Sequence, residues 1–313
     1  MASYIVEMDA GVHADATAAA TAITNAGASV TTTFDLNMTY QIDATADQLA
    51  AMSGVKYSSL ADANSGLEAS ILNKSHFNYI DNRWRQTGDD DTVTEVAEFQ
   101  SKYTGQGKTV YLLDSGINAG HNEFTNGTIT NLWTAFDTNP EGDAYASDYV
   151  DNVGHGTAVG SLIIGDNIGT AKDATLMNVK LYDSIAGATS VGSIVTAFSK
   201  VLEHHNANDN TDVKVLCAPW ITTQNDLIDS KVMELNSANV VVVAAAGNKD
   251  EDVNTFSPAG IEEIITVGSH DRNYKITKFT NTAWDGGSAS VSMPNYGAPV
   301  DILTIGQDVC YAV

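Results

Sequence analysis

Cysteine is scarce: Cys217 and Cys310 are the only two in 313 residues. That excludes a disulfide framework as the source of stability. Free cysteines are commonly buried thiols; a single bridge between these two stays open. Basic residues are also few, with 15 Lys and Arg against 39 Asp and Glu, a net charge of −24. A field of that sign repels phosphate, which argues against nucleic acid and anionic membranes as partners. It suits divalent cations or a salty medium, or is simply a solvated acidic face. No stretch approaches the ~18 consecutive apolar residues of a membrane span. The start, Met1-Ala2-Ser3-Tyr4-Ile5-Val6, lacks a basic segment followed by an apolar one, so no secretion signal is expected there. Cytoplasmic, particle-associated and leader-processed secreted proteins all fit. There is no tandem repeat and no low-complexity tract.

What is present is enough for a core, with 43% hydrophobic and 17% charged residues. At ~150 residues per domain the length suggests about two domains. Residues 1–70 read as a small α+β unit. Strands are expected at Tyr4–Met8, Ser29–Phe34, Met38–Ile42 and Val55–Leu60. Helices are expected at His13–Ala26 and after the cap Thr45, the second stopped by Gly54. The order βαββαβ is that of the ferredoxin-like split motif. Residues 71–106 read as a polar linker and the start of the core, with a solvated acidic run Asp89-Asp90-Asp91. Residues 107–313 alternate strands and helices. Apolar strands are expected at Thr109–Leu113, Thr175–Leu181, Val213–Ala218, Val240–Ala246 and Ile264–Val267. Helices are expected from Ala158, over Val191–His204 and over Leu227–Ala238. The fold class is α/β: a parallel, doubly wound sheet covered on both faces, preceded by the α+β unit.

Three short motifs end or follow these strands. Asp114, in Leu113-Asp114-Ser115-Gly116-Ile117, stands at the carboxyl end of an apolar strand, where open α/β sheets place their sites. His155, in Gly154-His155-Gly156-Thr157, opens a helix between glycines that permit close approach. Asn248 closes Ala244-Ala245-Ala246-Gly247-Asn248. A carboxylate facing an imidazole is the orienting half of a nucleophilic triad, and an amide N–H at a strand end can donate to a developing oxyanion. Singly, each motif is as well explained by a cap, a core histidine or a turn.

Together, Leu113–Ile117 with His121-Asn122-Glu123-Phe124, His155-Gly156-Thr157 and Val240–Asn248 resemble the subtilisin-like serine proteases, nearest their proteinase K branch. Ser257-Pro258-Ala259, Thr266-Val267-Gly268, Asn295-Tyr296-Gly297 and Val300-Asp301-Ile302 continue the likeness. The order Asp, His, Ser is the one subtilisin uses. The resemblance implies that Asp114 orients, His155 is the general base and Asn248 supplies the oxyanion donor. Ala245, Ala246 and Gly247 would line the primary specificity pocket. No cofactor is implied for the reaction; a structural calcium would use Asp301 and carbonyls near Glu262 and Ile264. The N-terminal unit resembles the family's inhibitory propeptide, and peptides or proteins are the implied substrates.

The family's serine box, expected soon after Asp301, has no counterpart here. Gly286–Pro294 has only a superficial likeness to it and is out of order. The helix that starts at that serine is missing as well, so the folding unit is expected to need a further segment or a partner. Leu216-Cys217-Ala218-Pro219-Trp220 replaces the family's substrate-pairing strand, with Trp220 placed to fill a cleft. Two readings stay open. One is an endopeptidase precursor whose serine lies outside this chain. The other is a non-catalytic module of a larger assembly, such as a phage virion.

Overall fold

A computed structural model describes residues 1–34, 37–61, 68–69, 83–87, 93–98, 103–136, 148–183, 189–208, 211–271, 275–281, 290–306 and 311–312. The acidic run Asp89–Asp91, residues 286–289 and Cys310 lie outside them. The N-terminal unit runs β1 (Ala2–Met8), α1 (Ala16–Asn25), β2 (Ser29–Thr33), β3 (Thr39–Ala44), α2 (Ala46–Ala51) and β4 (Val55–Leu60). Its sheet has the order β2-β3-β1-β4 with every neighbour antiparallel. Helix α1 starts three residues later than its alanine pattern suggests, because Asp15 accepts from the Ala18 N–H at 2.8 Å and caps it. Helix α2 carries a capping box: the Gln48 N–H meets Thr45 Oγ1 at 3.2 Å, and the Thr45 N–H meets Gln48 Oε1 at 2.8 Å. Such caps contribute about 1 kcal/mol each. Val6, Met8, Ile23, Tyr40 and Ile42 close a small core of their own.

After the two-residue strand β5 (Glu68–Ala69) come β6 (Arg83–Thr87) and β7 (Val93–Glu98). The last two pair antiparallel inside a stretch whose polarity suggested irregular chain. The larger part then follows with β8 (Thr109–Asp114), β9 (Thr128–Thr134), α3 (His155–Ile164), β10 (Thr175–Lys180), α4 (Val191–Ala207), β11 (Lys214–Ala218), β12 (Trp220–Thr223), α5 (Asp226–Ser237) and β13 (Val240–Ala245). It ends with β14 (Phe256–Ser257), β15 (Ile265–His270), β16 (Phe279–Asn281), β17 (Ser290–Ser292) and β18 (Val300–Ile305). Seven of these strands form a parallel sheet in the order β18-β15-β13-β11-β8-β10-β9. From β8 the chain goes to the edge strand β9, returns to β10 between the two, then crosses to β11 on the other side of β8. Such a switch point opens a crevice at the carboxyl ends of the strands, and Asp114 is the last residue of β8.

Helices α4 and α5 cover one face. Ile194, Phe198, Val201, Ile228, Val232 and Leu235 share a cluster there with Tyr111, Leu113, Leu216, Val240 and Val242. The second face is covered only in part by the described residues. Among the described residues, α3 packs there over β8 and β10. Beyond it lie the register rows Val215–Val241, Cys217–Val243–Ile265 and Ala245–Val267. These side chains are half-buried, and Ile265 is 41% exposed. The N-terminal sheet packs on α4 and α5, where Ile5, Phe34 and Ala61 join the main core. The Gly192 N–H donates to Ala61 O at 3.0 Å, and the Asn37 N–H to Glu234 Oε1 at 2.7 Å. No helix among the described residues is long and apolar enough to cross a membrane.

Candidate active site

Asp114 ends β8, and His155 opens α3 directly above it. The local sequence makes that approach possible. Gly154 caps α3 at φ +94°, a left-handed conformation that glycine adopts without steric cost. Gly156 follows the histidine; a Cβ there would strike the Gly116 carbonyl oxygen and lie 3.1 Å from Asp114 Cβ. Without it, the helix start settles onto the strand end. His155 Nδ1 lies 2.8 Å from Asp114 Oδ1 and 2.9 Å from Oδ2. Asp114 is 1% exposed and His155 7%.

Several groups hold this pair. Asp114 Oδ1 also accepts from the Ser115 N–H at 2.6 Å and from the Tyr182 hydroxyl at 2.8 Å. Asp151 gathers the turn before α3. Its Oδ1 accepts from the Val153 N–H at 3.0 Å, the Gly154 N–H at 2.8 Å and the Ser115 hydroxyl at 2.8 Å. Its Oδ2 accepts from the N–H and hydroxyl of Thr157 at 2.8 and 2.6 Å. A carboxylate on the free N–H groups of a helix start satisfies donors that have no partner within the helix. Ser115 in turn accepts from the Gly156 N–H at 2.9 Å, tying both glycine-flanked segments together.

Burial penalises the imidazolium of His155, but the charge and hydrogen bond of Asp114, with the charge of Asp151, outweigh it and hold the pKa above its ordinary value. With Nδ1–H given to the carboxylate, Nε2 is the acceptor nitrogen. Nothing among the described residues is hydrogen-bonded to Nε2. This arrangement can take a proton from a hydroxyl placed at Nε2 and stabilise the resulting charge.

Asn248 lies at the same edge of the sheet, just past the end of β13. Two strand spacings, about 10 Å across the sheet, separate that end from the end of β8. Its side chain is half-buried and has no hydrogen-bond partner among the described residues, so it does not bond to Asp114 or His155. Ala246 is buried, whereas Ala245 and Gly247 are half-buried at this edge. Asn295 fixes the loop: its N–H donates to Gly247 O and its Nδ2 to Ala246 O, both at 2.9 Å. Its Oδ1 accepts from the Lys249 and Glu251 N–H groups at 2.8 and 3.2 Å.

Pro219 separates β11 from β12. Trp220 is 1% exposed and its Nε1–H donates to Leu113 O at 3.0 Å, so its ring fills the core beneath the strand end. The exposed edge of β12 is taken by the chain itself: β5 pairs with it, Ala69 opposite Trp220 and Glu68 opposite Ile221. Cys217 is a free thiol that burial, with the charge of Asp114, pushes up to about 12. It is protonated and structural. Asp301 lies on the edge strand β18, and its Oδ2 accepts from the Thr266 N–H at 2.8 Å. No group of three or more His, Cys, Asp or Glu side chains able to hold a metal ion occurs among the described residues. Asp301 supplies a single carboxylate, so a calcium there would draw most of its six to eight oxygens from carbonyls such as those near Glu262 and Ile264 and from water.

The structure thus joins Asp114 to His155 and leaves Asn248 and Asp301 apart from them. Sequence reasoning missed Asp151, Tyr182 and Asn295. For Tyr182 the available signal is the parallel register: Lys180 pairs with Asp114, so a residue just past β10 lies beside the end of β8.

The fold is that of an α/β protein with a buried Asp–His pair at the switch point of its parallel sheet. The Subtilase family model matches residues 105–306, and the chain belongs to that family. A cuticle-degrading serine protease of Arthrobotrys oligospora is 30% identical over 206 residues, 64% of this chain and 47% of that protein. Alkaline protease 1 of Aspergillus clavatus is 29% identical over 208 residues, 66% of this chain and 45% of that protein. The chain thus spans about half the length of these relatives. A crystal structure of a cold-adapted subtilisin-like serine proteinase aligns with TM-score 0.55 and 26% identity, covering 70% of each chain.

Proposed function

We propose that this chain carries the Asp–His half of a serine endopeptidase that hydrolyses peptide bonds in proteins. The observation that carries the reading is the Asp114–His155 pair, buried at the switch point with both carboxylate oxygens on Nδ1. In this reading a serine outside residues 1–313 supplies the nucleophile, on a segment that covers the half-exposed face around Val241, Val243 and Val267. His155 Nε2 takes the hydroxyl proton as Oγ attacks the peptide carbonyl. The imidazolium, held by Asp114, then gives the proton to the leaving amine. Asn248, whose amide is uncommitted, donates to the oxyanion. Ala245, Ala246 and Gly247 form the wall beside it. These steps use protein groups alone; a calcium at Asp301 has no part in them.

The N-terminal unit acts as an inhibitory propeptide. Supporting this, it packs on α4 and α5, and β5 fills the edge of β12. The test is a fluorophosphonate probe applied to the protein isolated from its source. Covalent labelling of one serine, lost in His155→Ala, is expected. No labelling of the native material overturns the protease reading in favour of a non-catalytic module.

A further inference from the structure

Tyr182 is fully buried two residues past the end of β10, yet its hydroxyl is not turned toward solvent or a backbone carbonyl. It reaches the one carboxylate that holds His155. The Tyr182 oxygen lies 2.8 Å from Asp114 Oδ1 and 3.1 Å from His155 Nδ1. Because the Leu181 N–H donates to Asp114 O at 2.6 Å, the ladder between β8 and β10 extends up to Tyr182 and fixes its backbone beside the pair. A phenylalanine would fill the same volume, so packing alone does not call for the hydroxyl.

The two carboxylate oxygens are loaded unequally. Oδ1 receives Ser115 N–H, Tyr182 O–H and one arm of the His155 contact. Among the described residues, Oδ2 receives only the other arm. We propose, on the reading that Asp114 and His155 are a catalytic pair, that Tyr182 is its positioning residue: it pins Oδ1, leaves Oδ2 for the imidazole, and draws off part of the carboxylate's charge. Donation to an ionised carboxylate is a strong, directional hydrogen bond. It also competes with the imidazole for the same negative charge.

Tyr182 stays a donor throughout. Burial and the adjacent charge of Asp114 push its pKa well above the ordinary phenol value. The charged and titratable groups facing His155 are Asp114 from β8, Asp151 from the turn before α3, and Tyr182 after β10; Cys217 on β11 senses Asp114 but keeps its proton. Among these, only Tyr182 removes charge from Asp114 by donating a side-chain proton without itself titrating in the same range.

The experiment is an NMR titration of the full chain with labelled histidine, with the His155 signal identified by its loss in His155→Gln. Removal of the hydroxyl in Tyr182→Phe is expected to raise the His155 pKa and to move its Nδ1–H resonance. Replacing the tyrosine by a fluorotyrosine, a stronger donor in the same shape, is expected to lower that pKa. These opposite shifts are the signature, since a packing role moves neither. An unchanged or reversed shift, while Asp114→Asn still lowers the His155 pKa, overturns the role of Tyr182 and leaves the pair intact. If Asp114→Asn leaves the His155 titration unmoved, the Asp–His pairing itself fails. Should Tyr182→Phe not fold, the fluorotyrosine arm decides alone.

Discussion

Glu7 on β1 and Lys231 on α5 form an ion pair across the contact between the N-terminal unit and the larger part, 2.5 Å apart, with side chains 2% and 0% exposed. Ser230 and Lys56 complete the acceptor's partners at 2.9 and 3.0 Å. Burial works against the Glu7 charge, but Lys231, Lys56 and Ser230 outweigh it and lower its pKa. A depressed carboxylate contributes stability above its unfolded pKa and loses it as pH falls through the folded value. Docking of the N-terminal unit should therefore hold at neutral pH and loosen only below the ordinary carboxylate range. Breaking one partner strands a buried charge. Lys231→Met should cost about 3 kcal/mol in denaturant unfolding, and Glu7→Leu combined with Lys231→Met should recover much of it.

The pH response of His155 has the opposite sign. Its folded pKa is raised, so the stabilisation from pairing with Asp114 is fully present below 6.5, the ordinary imidazole value, and is lost as pH rises through the folded value. On the proposed protease reading, the general base is the neutral ring, so activity should fall as pH drops through that raised value. Asp114→Asn should lower the His155 pKa and reduce kcat by roughly 10⁴-fold. A pH–rate profile of the complete protein checks both.

Asp151 makes no hydrogen bond to Asp114 or His155 themselves, yet five donors converge on its two oxygens. Asp151→Ala should destabilise the protein by about 2–3 kcal/mol, as lost charge-assisted hydrogen bonds and a lost helix-start acceptor. Asp151→Asn, which keeps one acceptor oxygen, should lose less. Thermal melting of both variants separates the two contributions.

Gly156→Ala places a methyl group against the Gly116 carbonyl, a backbone atom that cannot swing aside. Overpacking of this kind costs about 1–3 kcal/mol. The helix start must lift, so the Asp114–His155 contact should lengthen. A weakened Nδ1–H resonance together with a lower melting temperature is the expected result.

Much of this was legible from residue pattern. The apolar runs of β8, β10, β11 and β13 announce buried parallel strands, and the flanking glycines mark His155 as a point of close approach. The edge strands β9 and β18 escaped notice for different reasons: β9 is rich in polar residues, as an edge strand with one neighbour can be, while the apolar run of β18 is short, broken by Asp301 and largely exposed. The expectation of helices on both faces came from the unbroken valines of β13. Val240 and Val242 are buried under α4 and α5, while Val241 and Val243 are half-buried among the described residues, on the face whose helix the sequence lacks. Tyr182 and Asp151 were invisible for another reason. Each meets its partner across the fold: Tyr182 reaches Asp114 from a neighbouring strand, and Asp151 meets Ser115 36 residues away in sequence. Neither motif announces the other.

The pairing of β5 with β12 also has a kinetic side. Any free peptide seeking to align with Trp220 and Ile221 competes with a segment joined to the same molecule. A short tether gives such a segment a local concentration of about 1 mM, whatever the dilution of the sample. One cut after β5, in the stretch 70–82, would leave β5 joined only to the N-terminal unit, and once that unit leaves, the figure falls to the bulk concentration of the protein. At micromolar levels the rival weakens by about a thousandfold with no change in any contact it makes.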